Sequence, residues 1–347
     1  MQPISKYEMI QHILSARKEP AYRMKQITEA IFRHRIGEFG RMTMLPQSLR
    51  TILIQELGET ILGIQPAQEK QSRQVSKMLF ALNGGEHMEA VRLSYKRGWD
   101  SYCISSQCGC GFACRFCATG AIGFKKNLTA DEITDQLLYF HLEGHSLDSV
   151  AFMGMGEALA NPHLFEALKQ LTDPRLFALG QRRLTVSTIG LLPGIARLTE
   201  EFPQINLTYS LHSPFDEERS SLMPINDKYP LLEVMETLDR HITLTGRKVY
   251  IAYILLHGMN DSREHAEALA RLLSERVKRG QLYHVTLIPF NRSEVISRSY
   301  RQAEADRVKS FLAVLTSRGI HATVRTQFGS DIDAACGQLY ASIFIQS

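Results

Sequence analysis

The sequence predicts an α/β fold in which six or so strand–helix units form a full or partial TIM-type barrel behind a small accessory region. From about residue 99 onward, apolar strand-like runs alternate with amphipathic helical segments, the pattern of a parallel sheet with right-handed crossovers. Polar residues follow most of these runs, as at the active-site end of such barrels. The residues before 99 show helical spacing and then one hairpin.

The accessory region begins with helices, predicted over residues 1–65. In the run YRMKQITEAIFRHRI, Met24, Ile27, Ile31 and Phe32 recur at helical spacing, and glycines at 37 and 40 mark a stop. Residues 66–98 are predicted to form a β-hairpin extension, because VSKMLFAL and MEAVRLSY flank an Asn-Gly-Gly turn. Residues 99–347 then form the core barrel and a C-terminal loop that carries an isolated cysteine.

The barrel prediction depends on seven strand-like runs and the polar residues that follow them. The runs are SYCIS, SVAFMGMGE, RRLTVSTIG, INLTYSLHS, KVYIAYILLHG, YHVTLIPFN and IHATVRTQF. Because the carboxyl ends of barrel strands converge on one mouth, the polar residues there are expected to line a ligand pocket. They are Gly156, Glu157, Ser187, Thr188, Ser210, His212, Asn260, Asn291, Arg325 and Gln327.

Charge is unevenly distributed along this chain of 347 residues. Residues 1–50 hold nine Lys or Arg and four Glu, a charge of +5, whereas the whole chain carries +4. A basic appendage on a neutral body indicates a polyanionic partner such as nucleic acid, and the alternative is a solvated helix face. There is no signal-peptide pattern and no run of about eighteen apolar residues, so we expect a cytoplasmic protein with no membrane partner.

Five of the six cysteines fall within the fifteen residues CISSQCGCGFACRFC. Cys110, Cys114 and Cys117 have C-x3-C-x2-C spacing, so three thiolates can bind three irons of a cubane cluster and leave the fourth iron open. An open iron can take the amino and carboxylate groups of S-adenosylmethionine. The alternative is a zinc site made from Cys108 and the same three cysteines, although zinc sites usually pair C-x2-C knuckles and only one is present.

This spacing resembles the radical S-adenosylmethionine (radical SAM) superfamily, including the aromatic Phe116 before the last cysteine. The GMGE sequence that ends at Glu157 follows the next predicted barrel strand. In the superfamily, a glycine-rich strand ending in Glu contacts the amino group of the bound cofactor, and glycine permits close backbone approach. The resemblance implies a partial (β/α)6 radical SAM barrel.

Further motifs extend the resemblance over nearly the whole chain from residue 70. They are CISSQCGC, CRFCATG, NLTADEITDQ, FMGMGEALAN, VSTIG, SLHSP, MPIND, LIPFN and DIDAACGQLY. In this order they resemble the RlmN/Cfr family of adenosine methyltransferases, which act on 23S ribosomal RNA. GEALAN, STIG and RTQFGSDIDAACGQLY resemble the Cfr (chloramphenicol–florfenicol resistance) branch. That branch methylates C8 of the adenosine conventionally numbered 2503, whereas RlmN methylates C2.

The resemblance implies a role for the isolated cysteine, Cys336. Its thiolate accepts a methyl group from one S-adenosylmethionine, a radical derived from a second one activates that methyl group, and the carbon adds to adenine. Cys103 then forms a transient disulfide with Cys336 as product leaves, and Glu89 accepts the ring proton. For Glu89 the alternative is an exposed hairpin carboxylate. Cys108 has no role in this scheme and is expected to be buried.

The remaining implications concern cofactors and partners. The cofactors are a [4Fe–4S] cluster and two molecules of S-adenosyl-L-methionine per turnover, the substrate is 23S ribosomal RNA, and a flavodoxin-type system supplies electrons to a monomeric enzyme.

Two alternatives stay open: a C2 methyltransferase of RlmN type, with transfer RNA as a further substrate, and a zinc-stabilised RNA-binding module. For His212 the alternative is a core histidine with no cofactor role, and for Asn291 the alternative is a residue that caps the next element. The residues implied to hold S-adenosylmethionine are Phe116, Gly156, Glu157, Ser187, Ser210, Leu211, His212 and Asn291.

Overall fold

The computed structural model describes residues 4–276, 282–293, 295–326, 328–329 and 332. Its N-terminal part consists of the helices α1 (Lys6–Ala16), α2 (Tyr22–Phe32) and α3 (Gln47–Leu57). The capping box of Ser5 and Glu8 starts α1. The predicted stop of α2 at the glycines is wrong, because the helix already ends at Phe32. Three residues later, Arg35 takes a left-handed φ of 57°.

The structure contains the antiparallel strand pair predicted around the Asn-Gly-Gly turn, together with one further strand. The strands β1 (Gln65–Gln71), β2 (Val75–Ala81) and β3 (His87–Tyr95) pair in antiparallel order. Gly85, with a φ of 85°, turns the chain between β2 and β3. The sequence of β1, QPAQEKQ, is polar and almost wholly exposed, so it lacks the apolar alternation by which strands are predicted.

The barrel part contains all seven predicted strand runs, together with a short pair that was not predicted. The strands are β4 (Trp99–Cys103), β5 (Gln107–Gly109), β6 (Phe124–Asn127), β7 (Ser149–Phe152), β8 (Leu184–Thr188), β9 (Asn206–Ser210), β10 (Val249–Leu255), β11 (Tyr283–Pro289) and β12 (His321–Val324). The helices are α4 (Ala118–Ala121), α5 (Ala130–Leu142), α6 (Leu164–Thr172), α7 (Leu192–Glu201), α8 (Asp216–Leu222), α9 (Leu231–Thr245), α10 (Arg263–Ser274) and α11 (Ala305–Ser317).

A single sheet joins the hairpin extension to the barrel, in the order β1-β2-β3-β4-β7-β8-β9-β10-β11-β12. From β4 to β12 every pair is parallel, so helical crossovers connect seven strands in six units. The β5–β6 pair forms a separate small sheet. The carboxyl ends of β7 to β11 therefore face one mouth, beside the cysteine loop.

The N-terminal helices pack directly on the barrel. Their apolar residues belong to the same core cluster as those of α5, α6 and the strands. The ammonium group of Lys6 forms a buried ion pair with Asp135 of α5 and donates to the carbonyl of Ile61 (3.2 Å). Among the helices of the described ranges, none is both long and apolar enough to span a bilayer. The domain boundaries predicted at residue 65, after the helical region, and at residue 98, after the hairpin extension, stay predictions.

Candidate active site

The three cysteines of the C-x3-C-x2-C motif lie on the loop between the two short antiparallel strands. The amide of Cys110 donates to the carbonyl of Gly123 (3.1 Å), and the amide of Cys117 donates to that of Cys114 (3.1 Å). Pairing of β5 with β6 closes the base of this loop. The three cysteines are partly buried, and Cys117 reaches the cavity at the barrel mouth.

The environment of these thiols suits a cationic cluster. Burial, the largest cause, raises the pKa of Cys110 to about 12, and it raises the pKa of Cys114 well above its usual range. The charges of Cys117 and Cys110 add to the effect on Cys114, because neighbouring thiolates repel one another. Positively charged iron removes that repulsion, so the donor set fits a [4Fe–4S] cluster.

The spacing of the thiols matters for the zinc alternative. In the described part of the chain, no group of three or more His, Cys, Asp or Glu side chains is arranged to hold a single metal ion. In a cubane cluster the cysteines do not share one ion, because each cysteine binds its own iron.

A cavity of about 370 Å³ opens beside the cysteine loop at the carboxyl ends of the strands. Its volume suits a nucleoside-sized ligand. Six of the predicted cofactor residues line it together with Cys117, whereas Leu211 and Asn291 are not among its lining residues. The six are Phe116, Gly156, Glu157, Ser187, Ser210 and His212. Of the predicted polar ring, Gln327 lies outside the described residues.

Glu157 sits in the wall of this cavity with its carboxylate held by backbone. Its two oxygens accept from the amides of Leu159 (3.2 Å) and Ile189 (3.0 Å). Burial raises the pKa of its carboxyl to about 7. Gly156 precedes it with a φ of 95°, and a Cβ there would lie 2.5 Å from the side chain of Gln107. The GMGE motif thus needs glycine at this position for backbone shape and for space.

His212 serves the fold and also faces the cavity. Its Nδ1 accepts from the amide of Ile254 (3.0 Å), so the ring proton is on Nε2. Its ring meets that of Phe116 edge-on, with centroids 5.0 Å apart. Burial, and to a smaller extent the charge of Arg219, lower its pKa to about 3. The ring is therefore neutral, and the two predictions for His212, core residue and cavity residue, both describe part of its environment.

Glu89 is not the exposed hairpin carboxylate of the alternative prediction, because the sheet buries it. Only 2% of its side chain is exposed, and one oxygen lies 3.3 Å from Nζ of Lys77. Lys77 is opposite Val91 in β3, and Val91 is opposite Cys103 in β4. Directly opposed residues share a face of the sheet, and Glu89 shares that face because it is two residues before Val91 in β3. The side chains of Lys77, Glu89, Val91 and Cys103 therefore lie on one face.

Lys77 was missed by the sequence reasoning, although it is a lysine in the middle of the apolar run VSKMLFAL. A charged residue at the centre of a buried strand requires a partner. That was the signal that could have identified it.

Arg219 was also missed, and it lies fully buried behind the cavity wall. Its guanidinium donates to the carbonyls of Leu211 (3.1 Å), Ile189 (2.7 Å) and Ser210 (3.3 Å). It also donates to the side-chain oxygen of Asn226 (2.5 Å). These bonds fix the loops after β8 and β9. No sequence signal marks this arginine, since α8 is a short polar helix.

The other two cysteine predictions have different outcomes. Cys108 is buried as predicted, and burial raises its pKa to about 12. Cys336 lies outside the described residues, and so does one half of the predicted Cys103–Cys336 disulfide. No disulfide joins the five cysteines that the structure describes.

Comparison with known proteins identifies the family. Residues 104–273 match the model of the radical SAM superfamily. The chain is 57% identical to the ribosomal RNA large subunit methyltransferase Cfr of Bacillus velezensis, over 99% of this chain and 98% of that protein. It is 59% identical to the protein of the same name from Staphylococcus aureus, over 97% of each. A radical SAM methyltransferase structure from Sphaerobacter thermophilus matches with a TM-score of 0.90 and 38% identity, over 98% of this chain and all of that one.

These matches confirm the predicted fold class, a partial radical SAM barrel with an accessory region. They also confirm the predicted cofactors, because proteins of this superfamily use a [4Fe–4S] cluster and S-adenosyl-L-methionine. The cysteine loop and the neighbouring cavity are the parts of the structure that fit them. The chain therefore belongs to the Cfr methyltransferase family within the radical SAM superfamily.

Proposed function

We propose that this enzyme methylates C8 of adenosine 2503 in 23S ribosomal RNA, with Cys336 as the carrier of the methyl group. The observation that carries the proposal is the cluster-type cysteine loop beside a 370 Å³ cavity at the carboxyl ends of the parallel strands. The relatives named as ribosomal RNA large subunit methyltransferases, matched over nearly their full length, support the substrate. Their name Cfr supports C8 over C2.

When bound, the cluster and S-adenosylmethionine supply an electron, a methyl group and a carbon-centred radical, which an unreactive sp² ring carbon of adenine requires. Cys110, Cys114 and Cys117 would bind three irons of the cluster. The residues predicted to hold S-adenosylmethionine would do so in the following way. Gly156 and Glu157 would take the amino group, Ser187 and the 210–212 segment the carboxylate and ribose, Phe116 would form the wall next to the cluster, and Asn291 would contact the far end.

Three residues of this chain would act on the transferred methyl carbon and on the proton of the adenine ring. Cys336 would hold the transferred carbon as a thioether. Glu89 would accept the proton at the adenine carbon, and its burial beside Lys77 presents an oriented carboxylate rather than a freely rotating one. Cys103 would close a disulfide with Cys336 as the methylated base leaves.

The finer partner assignments are part of the same proposal. Residues 1–65 would contact RNA phosphates, a flavodoxin-type system would supply electrons, and the enzyme would act as a monomer in the cytoplasm, where ribosomes are. A methyl group at C8 would block antibiotics that bind beside this adenosine, which gives resistance by a steric mechanism.

The test is mass spectrometry of nucleosides from the target RNA after expression of the enzyme. Chromatography against synthetic standards separates 8-methyladenosine from 2-methyladenosine. We expect the C8 product from wild type and from Cys108→Ala, and no product from Cys336→Ala. Methylation at C2 would show an RlmN-type enzyme instead, and full activity of Cys336→Ala would refute the carrier role. Protein that is colourless when purified without oxygen would point to the zinc alternative.

A further inference from the structure

The turn between β3 and β4 carries two exposed aromatic residues and two exposed cations. Tyr95 and Trp99 are direct partners across the hairpin, and Lys96 and Arg97 form the turn with Gly98. Tyr95 is 39% exposed and Trp99 48% exposed. The amide of Gly98 donates to the carbonyl of Tyr95 (3.0 Å), and its φ of 74° closes a tight three-residue loop.

Each ring makes a contact that holds it in place, although both residues are exposed. Nε1 of Trp99 donates to Oγ of Ser149 on the neighbouring strand β7 (3.3 Å). The Tyr95 ring meets that of Phe328 edge-on, with centroids 5.8 Å apart. A ring that is already fixed loses little conformational entropy when a flat partner stacks on it. These two side chains therefore form a prearranged stacking surface.

Within the part of the chain that the structure describes, the cations of the turn have no acidic partner to neutralise them. Neither Lys96 nor Arg97 forms an ion pair with any residue in the described ranges. Asp100, the acidic residue beside the turn, is buried and already faces Arg92 (3.4 Å). The local charge is thus positive next to an exposed aromatic pair, which favours an anionic ligand with flat rings.

We propose that this turn, residues 95–99, is a second RNA contact that stacks an unpaired base on Trp99 while Lys96 and Arg97 bind its phosphates. Aromatic residues combined with basic ones are the usual means of holding single-stranded nucleic acid without reading its sequence. By strand alternation Trp99 lies on the same face as Cys103, about 13 Å away along β4. The inference rests on the proposed function, because it assigns this turn to the RNA that is methylated.

The sequence provides a direct probe, because Trp99 is the single tryptophan of the chain. The experiment titrates the cluster-loaded, full-length enzyme with a stem-loop fragment of 23S ribosomal RNA that contains the target adenosine. We expect saturable quenching of the tryptophan fluorescence. Lys96→Gln/Arg97→Gln should weaken binding about tenfold and reduce the slope of log K against log salt by about 1.5, the contribution of two phosphate contacts.

The matched control is Arg263→Gln/Lys309→Gln, which removes the same charge from exposed positions on α10 and α11. It should leave both the affinity and the salt slope unchanged. With labelled RNA and anisotropy as the readout, Trp99→Ala should weaken binding about tenfold and Trp99→Phe should retain most of it. Cluster absorbance and the unfolding midpoint identify any variant that fails to fold.

Two results would overturn the inference: fluorescence that does not respond to RNA, or turn variants that bind as the control does. In either case methylation of the fragment by wild type shows that the proposed function still stands. Conversely, quenching and salt-sensitive binding without any methylated product would leave the RNA contact intact and refute the proposed function.

Discussion

The ammonium nitrogen of Lys77 lies 3.3 Å from a carboxylate oxygen of Glu89, and only 4% and 2% of their side chains are exposed. Removal of one member of a buried ion pair leaves an uncompensated charge. We therefore expect Lys77→Met to destabilise the protein by about 3–5 kcal/mol, measured by denaturant unfolding. Lys77→Met/Glu89→Leu should recover much of that loss. A single variant as stable as wild type would show that the pair is not coupled.

Gly156 should not tolerate a side chain. Its φ of 95° and the closeness of Gln107 predict that Gly156→Ala strains the cavity wall, with a loss of about 1–3 kcal/mol in stability. It should also weaken binding of S-adenosylmethionine, measured by calorimetry. Gly180→Ala is the control, since a Cβ at Gly180 meets nothing within 4 Å and its φ is −65°. Equal behaviour of the two variants would contradict this explanation.

Arg219 should stabilise the site through the hydrogen bonds that hold the loops after β8 and β9, rather than through its positive charge alone. Arg219→Gln removes bonds to three backbone carbonyls and a side chain, so we expect a loss of about 3–5 kcal/mol. Arg219→Lys keeps the charge but not the planar set of donors, and it should recover only part of the stability. Thermal unfolding measures both. Full recovery with lysine would show that charge alone matters.

Arg33 and Arg35 both belong to the basic N-terminal region, but they should behave differently. The guanidinium of Arg35 donates to the carbonyl of Gly144 on the barrel (2.6 Å), so Arg35→Gln should cost about 1–2 kcal/mol of stability. Arg33→Gln should leave stability near wild type and weaken RNA binding, with unchanged cluster content. RNA affinity that is insensitive to Arg33 would argue against that face as the contact.

His241 should make stability depend on pH. Its Nδ1 lies 2.8 Å from the hydroxyl of Thr199, joining α9 to α7, and burial together with the charge of Arg247 lowers its pKa from 6.5 to about 4. The unfolded chain then binds the proton more readily than the folded one, so stability is highest above pH 6.5 and falls between pH 6.5 and 4. The loss should be on the order of 2 kcal/mol.

The check is denaturant unfolding across this pH window for wild type and His241→Gln. The variant should lose less stability between the two ends of the window than wild type does. Parallel curves for the two proteins would assign the pH dependence to other groups.

Much of the fold was predictable because its signals are local. Alternation of apolar strands and amphipathic helices predicted the parallel barrel, and an Asn-Gly-Gly turn predicted the pairing of β2 with β3. Strand β1 and the β5–β6 pair were not predicted, since polar or very short segments become strands only when a neighbour offers its hydrogen bonds. The end of α2 was placed too late because Arg35, and not a glycine, takes the left-handed conformation.

The candidate site divides in the same way. Spacing within fifteen residues identified Cys110, Cys114 and Cys117, and the polar residues at strand ends identified Glu157, because each signal is contained in one short segment. Which side chains pair with one another was decided only by the tertiary structure. Lys77 meets Glu89 across the hairpin, and Arg219 meets the loops after β8 and β9, through contacts that no single short stretch of sequence contains. Burial then sets which charges need partners, and burial is a property of the assembled chain rather than of any one stretch of it.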